Sequence, residues 1–222
     1  DKEKAVDENM LTRMRDMLLH RGPDDAGNFI DKNIGLGARR LSIIDITGGH
    51  QPIHNEEKTI WIVFNGEIYN YVTLRESLQK QGHNFYTRSD TEVIVHLYEE
   101  YNSDCLTKLR GMFALAIWDV RNKTLFLARD RLGIKPLYYA YKDGNLIFGS
   151  EPKSILKTNL VSRDIDNDAI SCYFTYGYIP SPYSIFKDIR KLPPANFLLW
   201  HEGTIKIHKY WEIDYQNKLN LS

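Results

Sequence analysis

The chain has 222 residues, of which 42% are apolar and 26% are charged, a composition that excludes disordered, collagen-like and coiled-coil proteins. Its 29 basic and 29 acidic residues cancel to a net charge of zero, so the basic excess typical of nucleic-acid-binding proteins is missing. No window approaches the roughly 18 to 20 consecutive apolar residues that cross a bilayer. We therefore expect a cytoplasmic protein that binds neither nucleic acid nor membrane.

The first third of the chain predicts one helix followed by strands. Residues 10–19 carry apolar side chains at helical spacing, and Gly22-Pro23 ends that pattern. Short strands are expected over residues 27–45. The continuous apolar run 61–64 predicts a buried strand that ends in a sharp turn at Asn65-Gly66.

Two more helices are predicted from capping boxes. In this motif a hydroxyl accepts a free backbone N–H while a glutamate three residues later reaches back to the cap. Thr73 with Glu76 would begin the first of these helices, and Gly82 would close it. Ser89 with Glu92 would begin the second.

The second half of the chain predicts mostly strands. Residues 112–149 read as four strands joined by short turns, which indicates one antiparallel meander. A helix over about 166–176 should end at Gly177, and a last hairpin should follow near 197–208. Because several strands are apolar on both faces, each face needs a cover. We therefore predict an α+β fold, a four-layer αββα sandwich of two antiparallel sheets flanked by helices.

Several polar residues are candidates for binding an amino acid. The amide of Asn65 and the unshielded N–H of Gly66 could stabilise an oxyanion, although Asn-Gly is also a common tight-turn dipeptide. Arg39 and Arg40 are adjacent on a predicted strand and must point to opposite faces, so one could clamp a carboxylate while solvated surface arginine remains the alternative. Asp90 could bind an ammonium group or serve only the helix dipole.

The cysteines and histidines predict no metal site. The two cysteines, Cys105 and Cys172, form no CxxC pair, and no histidine spacing matches a zinc motif. Both cysteines are expected to be small buried apolar residues.

Seven sequence blocks resemble, in the same order, the glutaminase domain of glutamine-hydrolysing asparagine synthetases. They are HRGPDD (20–25), RLSIID (40–45), FNGEIYN (64–70), RSDTEV (88–93), LRGMFALAIWD (109–119), ARDRLGIKPLYY (128–139) and SEPKSIL (150–156). The resemblance covers nearly the whole chain. It implies an N-terminal-nucleophile (Ntn) hydrolase fold, with residues 1–165 as the glutaminase domain, 166–213 as a helix and hairpin that complete it, and 214–222 as a linker or chain end.

The resemblance also implies an activity and its partners. L-glutamine would be hydrolysed to glutamate and ammonia, and the ammonia would amidate aspartate to asparagine in a C-terminal synthetase domain. ATP and Mg²⁺ would act there, because no Gly-rich phosphate loop occurs in this sequence, and the glutaminase domain itself would need no cofactor. A homodimer is also compatible with the resemblance.

Seven site residues are implied by the resemblance. Arg40 would pair with the α-carboxylate of glutamine, and the backbone around Ile43 and Ile44 would accept the substrate. Asn65 and Gly66 would form the oxyanion hole. The α-ammonium group would be held by two acids, Glu67 and Asp90.

The sequence departs from the family in its nucleophile. The family uses an N-terminal cysteine whose α-amine acts as general base, and neither Cys105 nor Cys172 can take that role because each has a blocked backbone nitrogen. The nucleophile is therefore expected upstream of Asp1, and this polypeptide alone is expected to be inactive. Two alternatives remain: a glutaminase that serves a sugar or peptide carboxylate, and a non-catalytic glutamine-binding or structural module.

Overall fold

The computed structural model describes residues 5–42, 45 and 48–215. In this part of the chain the helices are α1 (Glu8–Asp16), α2 (Tyr71–Lys80), α3 (Asp90–Tyr101), α4 (Cys105–Lys108), α5 (Pro152–Leu156) and α6 (Asn167–Tyr176). The strands are β1 (Asp25–Asp31), β2 (Ile34–Arg40), β3 (Ile53–His54), β4 (Ile60–Ile68), β5 (Gly111–Asp119), β6 (Thr124–Arg129), β7 (Tyr138–Lys142), β8 (Asn145–Gly149), β9 (Arg190–Lys191), β10 (Asn196–His201) and β11 (Thr204–Lys209).

The strands form two β layers between helices. One layer is a six-stranded sheet of order β11-β10-β6-β5-β4-β3, and the other consists of the β1-β2 hairpin and the three-stranded sheet β8-β7-β9. Helices α2, α3 and α4 cover the outer face of the six-stranded sheet, and α1 and α5 pack on the second layer. The predicted αββα order is present, with the second layer divided into two pieces.

The centre of the six-stranded sheet is buried on both faces. Seven consecutive residues of β5, Phe113–Asp119, are buried. Alternate side chains of β5 enter two different apolar clusters: Phe113, Leu115 and Ile117 face the helices, whereas Ala114, Ala116 and Trp118 face the second β layer. A continuous apolar run is therefore what this strand requires.

The predicted meander over residues 112–149 is wrong in its connectivity. All four strands exist, but β5 pairs with β6 in the large sheet, whereas β7 pairs with β8 and β9 in the second layer. The other edge of β6 is taken by β10. Hairpin signals in the sequence predict which neighbouring strands pair, but they do not show which distant strand lies beside the hairpin. They therefore do not predict that the chain crosses from the six-stranded sheet to the second layer after β6.

The sharp turn predicted at Asn65-Gly66 is also wrong. Strand β4 continues through both residues to Ile68 and pairs with β5 along its whole length, with Asn65 opposite Ala114 and Gly66 opposite Phe113. The Asn-Gly pair is therefore part of a strand, and its alternative assignment as a tight turn is excluded.

One predicted capping box is wrong and the other is half right. Helix α2 begins at Tyr71 after Asn70, so Thr73 lies inside the helix. Ser89 caps α3 as predicted and accepts a hydrogen bond from the Thr91 N–H. Its partner Glu92 instead accepts the N–H groups of Tyr86 and Thr87, because the chain turns back over the helix start.

The C-terminal elements follow the sequence signals. The side chain of Asp166 caps α6, and Gly177 ends the helix in the left-handed conformation. The predicted last hairpin is β10-β11, which extends the six-stranded sheet. Among the described residues, every helix is too short or too polar to cross a lipid bilayer.

Candidate active site

The C-terminal half of β4 presents polar side chains to the space between the β layers. Val63 on this strand packs in the apolar cluster between the layers. Because strand side chains alternate, Asn65 and Glu67 project from the same face as Val63. The apolar face of β4 thus becomes polar towards its end, at the point where a cavity opens.

The outer edge of β4 carries backbone donors two residues apart. Gln51 donates to the Phe64 carbonyl (3.1 Å) and accepts the Phe64 N–H (2.8 Å). Asp90 Oδ2 accepts the Ile68 N–H (2.9 Å). The Gly66 N–H lies between these two and points to the same edge, because backbone N–H groups alternate in direction along a strand.

The close approach of β5 requires a glycine at position 66. A Cβ atom there would lie 2.2 Å from the Met112 carbonyl oxygen and 2.8 Å from the Phe113 Cα. Since both contacts are to backbone, neither can be relieved by a side-chain movement. Packing against β5 therefore excludes any larger residue at position 66, which lies beside the cavity.

The cavity brings together the predicted binding residues that the structure describes. It has a volume of about 700 Å³, within the range of roughly 300 to 1,000 Å³ typical of ligand sites. Its wall includes Arg40, Asn65, Gly66, Glu67 and Asp90. Ile43 and Ile44, the other two predicted residues, lie outside the described residues. Residues more than 20 positions apart thus meet at one site, although their individual roles stay predictions.

The side-chain amide of Asn65 is an unsatisfied donor. Asn65 Nδ2 is buried and has no hydrogen-bond partner in the described part of the chain. A buried amide donor without a partner costs about 1–3 kcal/mol, so such a group is rare unless it serves a ligand. Asn65 and its neighbour Gly66 both line the cavity.

Two carboxyl groups give the cavity its negative end. Burial raises the pKa of Asp90, although hydrogen bonds from the Ile68 N–H and the Ser89 hydroxyl partly oppose the shift. Burial and the nearby charge of Asp90 raise the pKa of Glu67, whereas Lys135 lowers it. Two neighbouring carboxyl groups, one of which raises the pKa of the other, favour a bound cation.

The two neighbouring arginines make different contacts. Arg40 Nη2 donates to the Asp45 carbonyl at 2.8 Å. Arg39 Nε donates to the Gly22 carbonyl at 2.9 Å, and its guanidinium lies 3.7 Å from Asp16 Oδ1. Both contribute atoms to the cavity wall, but Arg39 is tied to the loop after α1.

Neither cysteine of the chain lines the cavity. Cys105 is fully buried, and burial raises the pKa of its thiol to about 12. Its prediction as a small buried residue is confirmed. Cys172 on α6 is only half-buried, so the same prediction is wrong for it.

Gln51 and Lys135 also line the cavity, and neither is among the site residues predicted from the sequence. Lys135 is placed by the loop after β6, where Asp130 accepts the N–H groups of Leu132, Ile134 and Lys135. Gln51 pairs with β4 as a strand would. No local pattern marks Gln51, because it gains its place through contacts with the distant strand β4, whereas Lys135 is positioned within its own loop.

Comparison with known proteins places this site in a family. The model of the family described as glutamine amidotransferase domain matches residues 2–211. The chain belongs to this family. The resemblance seen in the seven sequence blocks is thereby confirmed.

The curated relatives of this glutamine amidotransferase domain are longer proteins. Glutamine-hydrolysing asparagine synthetase 1 of Bacillus subtilis strain 168 is 40% identical over 215 residues, which cover 96% of this chain and 34% of that protein. Asparagine synthetase 3 of the same organism is 38% identical over 216 residues, which cover 96% of this chain and 35% of that protein. Asparagine synthetase 3 of Arabidopsis thaliana is 48% identical over 139 residues, which cover 62% of this chain and 24% of that protein. The chain spans about a third or less of these relatives.

Solved structures support the fold. Glutamine phosphoribosylpyrophosphate amidotransferase from B. subtilis, in complex with ADP and GMP, matches with a TM-score of 0.60 at 19% identity, over 82% of this chain and 36% of that one. An allosteric regulatory enzyme of purine biosynthesis matches with a TM-score of 0.61 at 19% identity, over 82% of this chain and 36% of that one. The amidotransferase domain has the αββα fold of Ntn hydrolases, as predicted.

Proposed function

We propose that this domain binds L-glutamine and hydrolyses its side-chain amide to glutamate and ammonia. The observation that carries the proposal is the side-chain N–H donor of Asn65, which is buried without a hydrogen-bond partner among the described residues, in a residue that lines the cavity next to Gly66. Hydrolysis of an amide passes through a tetrahedral oxyanion, and two convergent donors stabilise that charge in the transition state. The same donors would be of little use to a purely structural module.

The rest of the cavity suits the two charged ends of an amino acid. Glu67 and Asp90 would hold the α-ammonium group, and Arg40 would pair with the α-carboxylate. Substrate would then lie with its amide carbon against Asn65 and Gly66. This arrangement would account for the presence of both acidic and basic side chains in the wall of one cavity.

The nucleophile in this proposal is a cysteine thiol upstream of Asp1. Neither Cys105 nor Cys172 contributes to the cavity wall. The thiol of an N-terminal cysteine would attack the amide carbon, and its α-amine would accept the thiol proton and pass it to the departing ammonia. Water would then hydrolyse the thioester and release glutamate. Alone, the 222 residues should therefore be inactive.

We further propose that the ammonia is used in ATP-dependent amidation of aspartate to asparagine. This second proposal is supported by a sequence identity of about 40% to glutamine-hydrolysing asparagine synthetases, which are much longer than this chain. ATP and Mg²⁺ would act in a C-terminal synthetase domain of the same polypeptide.

The test is an assay of the full-length protein with glutamine, ATP, Mg²⁺ and aspartate. Glutamate release should depend on glutamine, and asparagine should form only when aspartate and ATP are both present. Glutamate release without asparagine formation would keep the glutaminase and redirect the search to a sugar or peptide carboxylate. No glutamate release under any condition would refute the proposal.

Asp90→Asn provides a test of the ammonium site. We expect the KM for glutamine at pH 7 to rise about tenfold, the low end of the effect of losing a hydrogen bond to a charged group, because Glu67 remains. In the unmodified protein, KM should rise on acidification at a pH above the ordinary range of carboxyl groups, since the pKa values of Asp90 and Glu67 are both raised.

The stability of the same variant separates binding from structure. Because the folded-state pKa of Asp90 is raised, its stabilising contribution is present at low pH and is lost as pH rises through that pKa. At pH 7 the asparagine variant should therefore have an unchanged or higher Tm, since Asn still accepts the Ile68 N–H. A lower Tm with an unchanged KM would assign Asp90 a structural role only.

A further inference from the structure

Four side chains outside the cavity wall form a compact cluster of nitrogen and oxygen atoms. Glu56 comes from the loop between β3 and β4, His83 follows α2, and His96 with Glu99 projects from α3. Each offers one ligand atom, and these atoms lie within 4.8 Å of one another. The sequence predicts no metal site here, because Glu56, His83 and His96 are too far apart in the chain to form a known motif.

The distances within the cluster suit a small tetrahedral cation. His96 Nδ1 lies 2.9 Å from Glu99 Oε2 and 3.7 Å from Glu56 Oε2, and His83 Nδ1 lies 3.7 Å from Glu99 Oε2. Ligand atoms about 2.0–2.1 Å from a tetrahedral Zn²⁺ are about 3.4 Å apart. These three separations lie on both sides of that value, and no two of the four atoms are more than 4.8 Å apart, so metal binding would draw the side chains closer together.

One of the two histidines has the outer contact of a metal ligand. The ring nitrogen of His83 that faces away from the cluster, Nε2, lies 3.0 Å from Glu100 Oε1, whereas the corresponding His96 Nε2 lies 3.7 Å from Glu92 Oε1, beyond hydrogen-bond distance. Metal-bound histidines almost always have such a partner on the other nitrogen, because it fixes the tautomer and the ring orientation.

The two glutamates are also held from outside. Glu99 Oε1 accepts a hydrogen bond from the Asn55 amide (2.6 Å), and Glu56 Oε1 accepts the Asn84 N–H (2.8 Å). One oxygen of each carboxylate is thus fixed while the other points into the cluster. This arrangement orients the ligands before a metal arrives.

One buried atom in the cluster lacks a partner in the metal-free protein. His96 is fully buried, and among the described residues its Nε2 has no hydrogen-bond partner, since Glu92 is too distant. A metal on Nδ1 would leave the proton on Nε2, directed at Glu92. Two neutral imidazoles and two carboxylates would also neutralise a divalent ion.

We propose that Glu56, His83, His96 and Glu99 bind one divalent transition-metal ion of the Zn²⁺ type. The ion would join the β3–β4 loop, the segment after α2 and helix α3 in one structural site. Helix α3 carries Asp90 at its first residue, about 9 Å along the axis from His96 at 1.5 Å per residue. The site would therefore brace the helix that carries one of the cavity acids.

The test measures Zn²⁺ binding to full-length protein that has been stripped with a chelator. A colorimetric chelator competes for the metal during titration with ZnCl₂. The unmodified protein should bind one equivalent of Zn²⁺, and His83→Gln should bind it more than about 100-fold more weakly, because loss of a ligand exceeds the about 10- to 100-fold effect of losing a group that hydrogen-bonds to a ligand. Mg²⁺ should not compete, because it prefers an all-oxygen, octahedral site.

Two further variants distinguish loss of the metal site from loss of folding and from binding of Zn²⁺ to surface histidines. His201→Gln removes an exposed histidine of the β10-β11 hairpin outside the cluster and should leave Zn²⁺ binding unchanged. Glu56→Gln removes the most exposed ligand and should weaken binding even if His83→Gln does not fold. One equivalent of Zn²⁺ should raise the Tm of the unmodified protein but not of these ligand variants.

Equal Zn²⁺ affinity in the unmodified protein and both ligand variants would show adventitious binding and overturn the proposal. Absence of a tight equivalent in the unmodified protein would overturn it as well, leaving the cluster as hydrogen-bonded ion pairs only. Neither result bears on glutamine hydrolysis, so this proposal and the proposed function fail independently.

Discussion

Replacing Asn65 by alanine in the full-length protein should lower kcat for glutamine hydrolysis by about 10² to 10³, with little change in the KM for glutamine. The Asn65 side-chain N–H donor is buried and has no hydrogen-bond partner among the described residues, and in the proposed mechanism it bonds the substrate oxygen mainly as negative charge develops there. An interaction made mainly in the transition state affects kcat and not ground-state binding. Initial rates of glutamate release measure both parameters.

The stability of this variant should change little, because Asn65 Nδ2, which alanine removes, makes no hydrogen bond among the described residues. Asn70→Ala provides the matched control. Asn70 donates to the Lys108 carbonyl and accepts the Arg110 N–H, so its loss should lower Tm and leave kcat unchanged. A kcat for Asn65→Ala within a few-fold of the unmodified value would remove Asn65 from the oxyanion hole.

Arg40→Lys should raise the KM for glutamine about 10- to 150-fold, which corresponds to about 1.5–3 kcal/mol for a hydrogen bond to a charged group. Lysine keeps the charge but loses the planar pair of N–H donors that matches a carboxylate. Arg39→Lys is the control, since the Arg39 guanidinium already bonds to Gly22 and lies near Asp16. It should alter KM by no more than a few-fold.

Steady-state kinetics with saturating ATP and aspartate compare the two arginine variants directly. Circular dichroism and thermal unfolding establish that both are folded. Similar increases in KM for Arg40→Lys and Arg39→Lys would show that neither arginine is the specific carboxylate partner. A larger increase for Arg39→Lys would reverse the assignment.

Local signals in the sequence predict local structure well in this protein. Asp166 and Gly177 mark the two ends of α6, and Ser89 marks the start of α3, because each satisfies backbone groups of its own helix. The apolar run of β5 identifies a strand covered on both faces. Such features depend on neighbours within a few residues and are therefore visible in the sequence.

The errors have a common cause in long-range pairing. The strands over 112–149 were predicted correctly but joined in one sheet, whereas β6 has β10 as its neighbour and β7 has β9. Asn65-Gly66 was predicted to turn, whereas pairing with β5 extends the strand across it. A propensity for turns is small beside the hydrogen bonds that a partner strand supplies.

The family, the layered α+β class and the residues that could bind the two ends of an amino acid are visible in the sequence, because ordered motifs and strand periodicity are properties of short segments. That Arg40, Asn65, Gly66, Glu67 and Asp90 line one cavity with Gln51 and Lys135 becomes visible only in the folded molecule. It alone also brought Glu56, His83, His96 and Glu99 together. The physical reason is that a site is made by side chains from distant segments, and their meeting depends on which strands pair and how the layers pack.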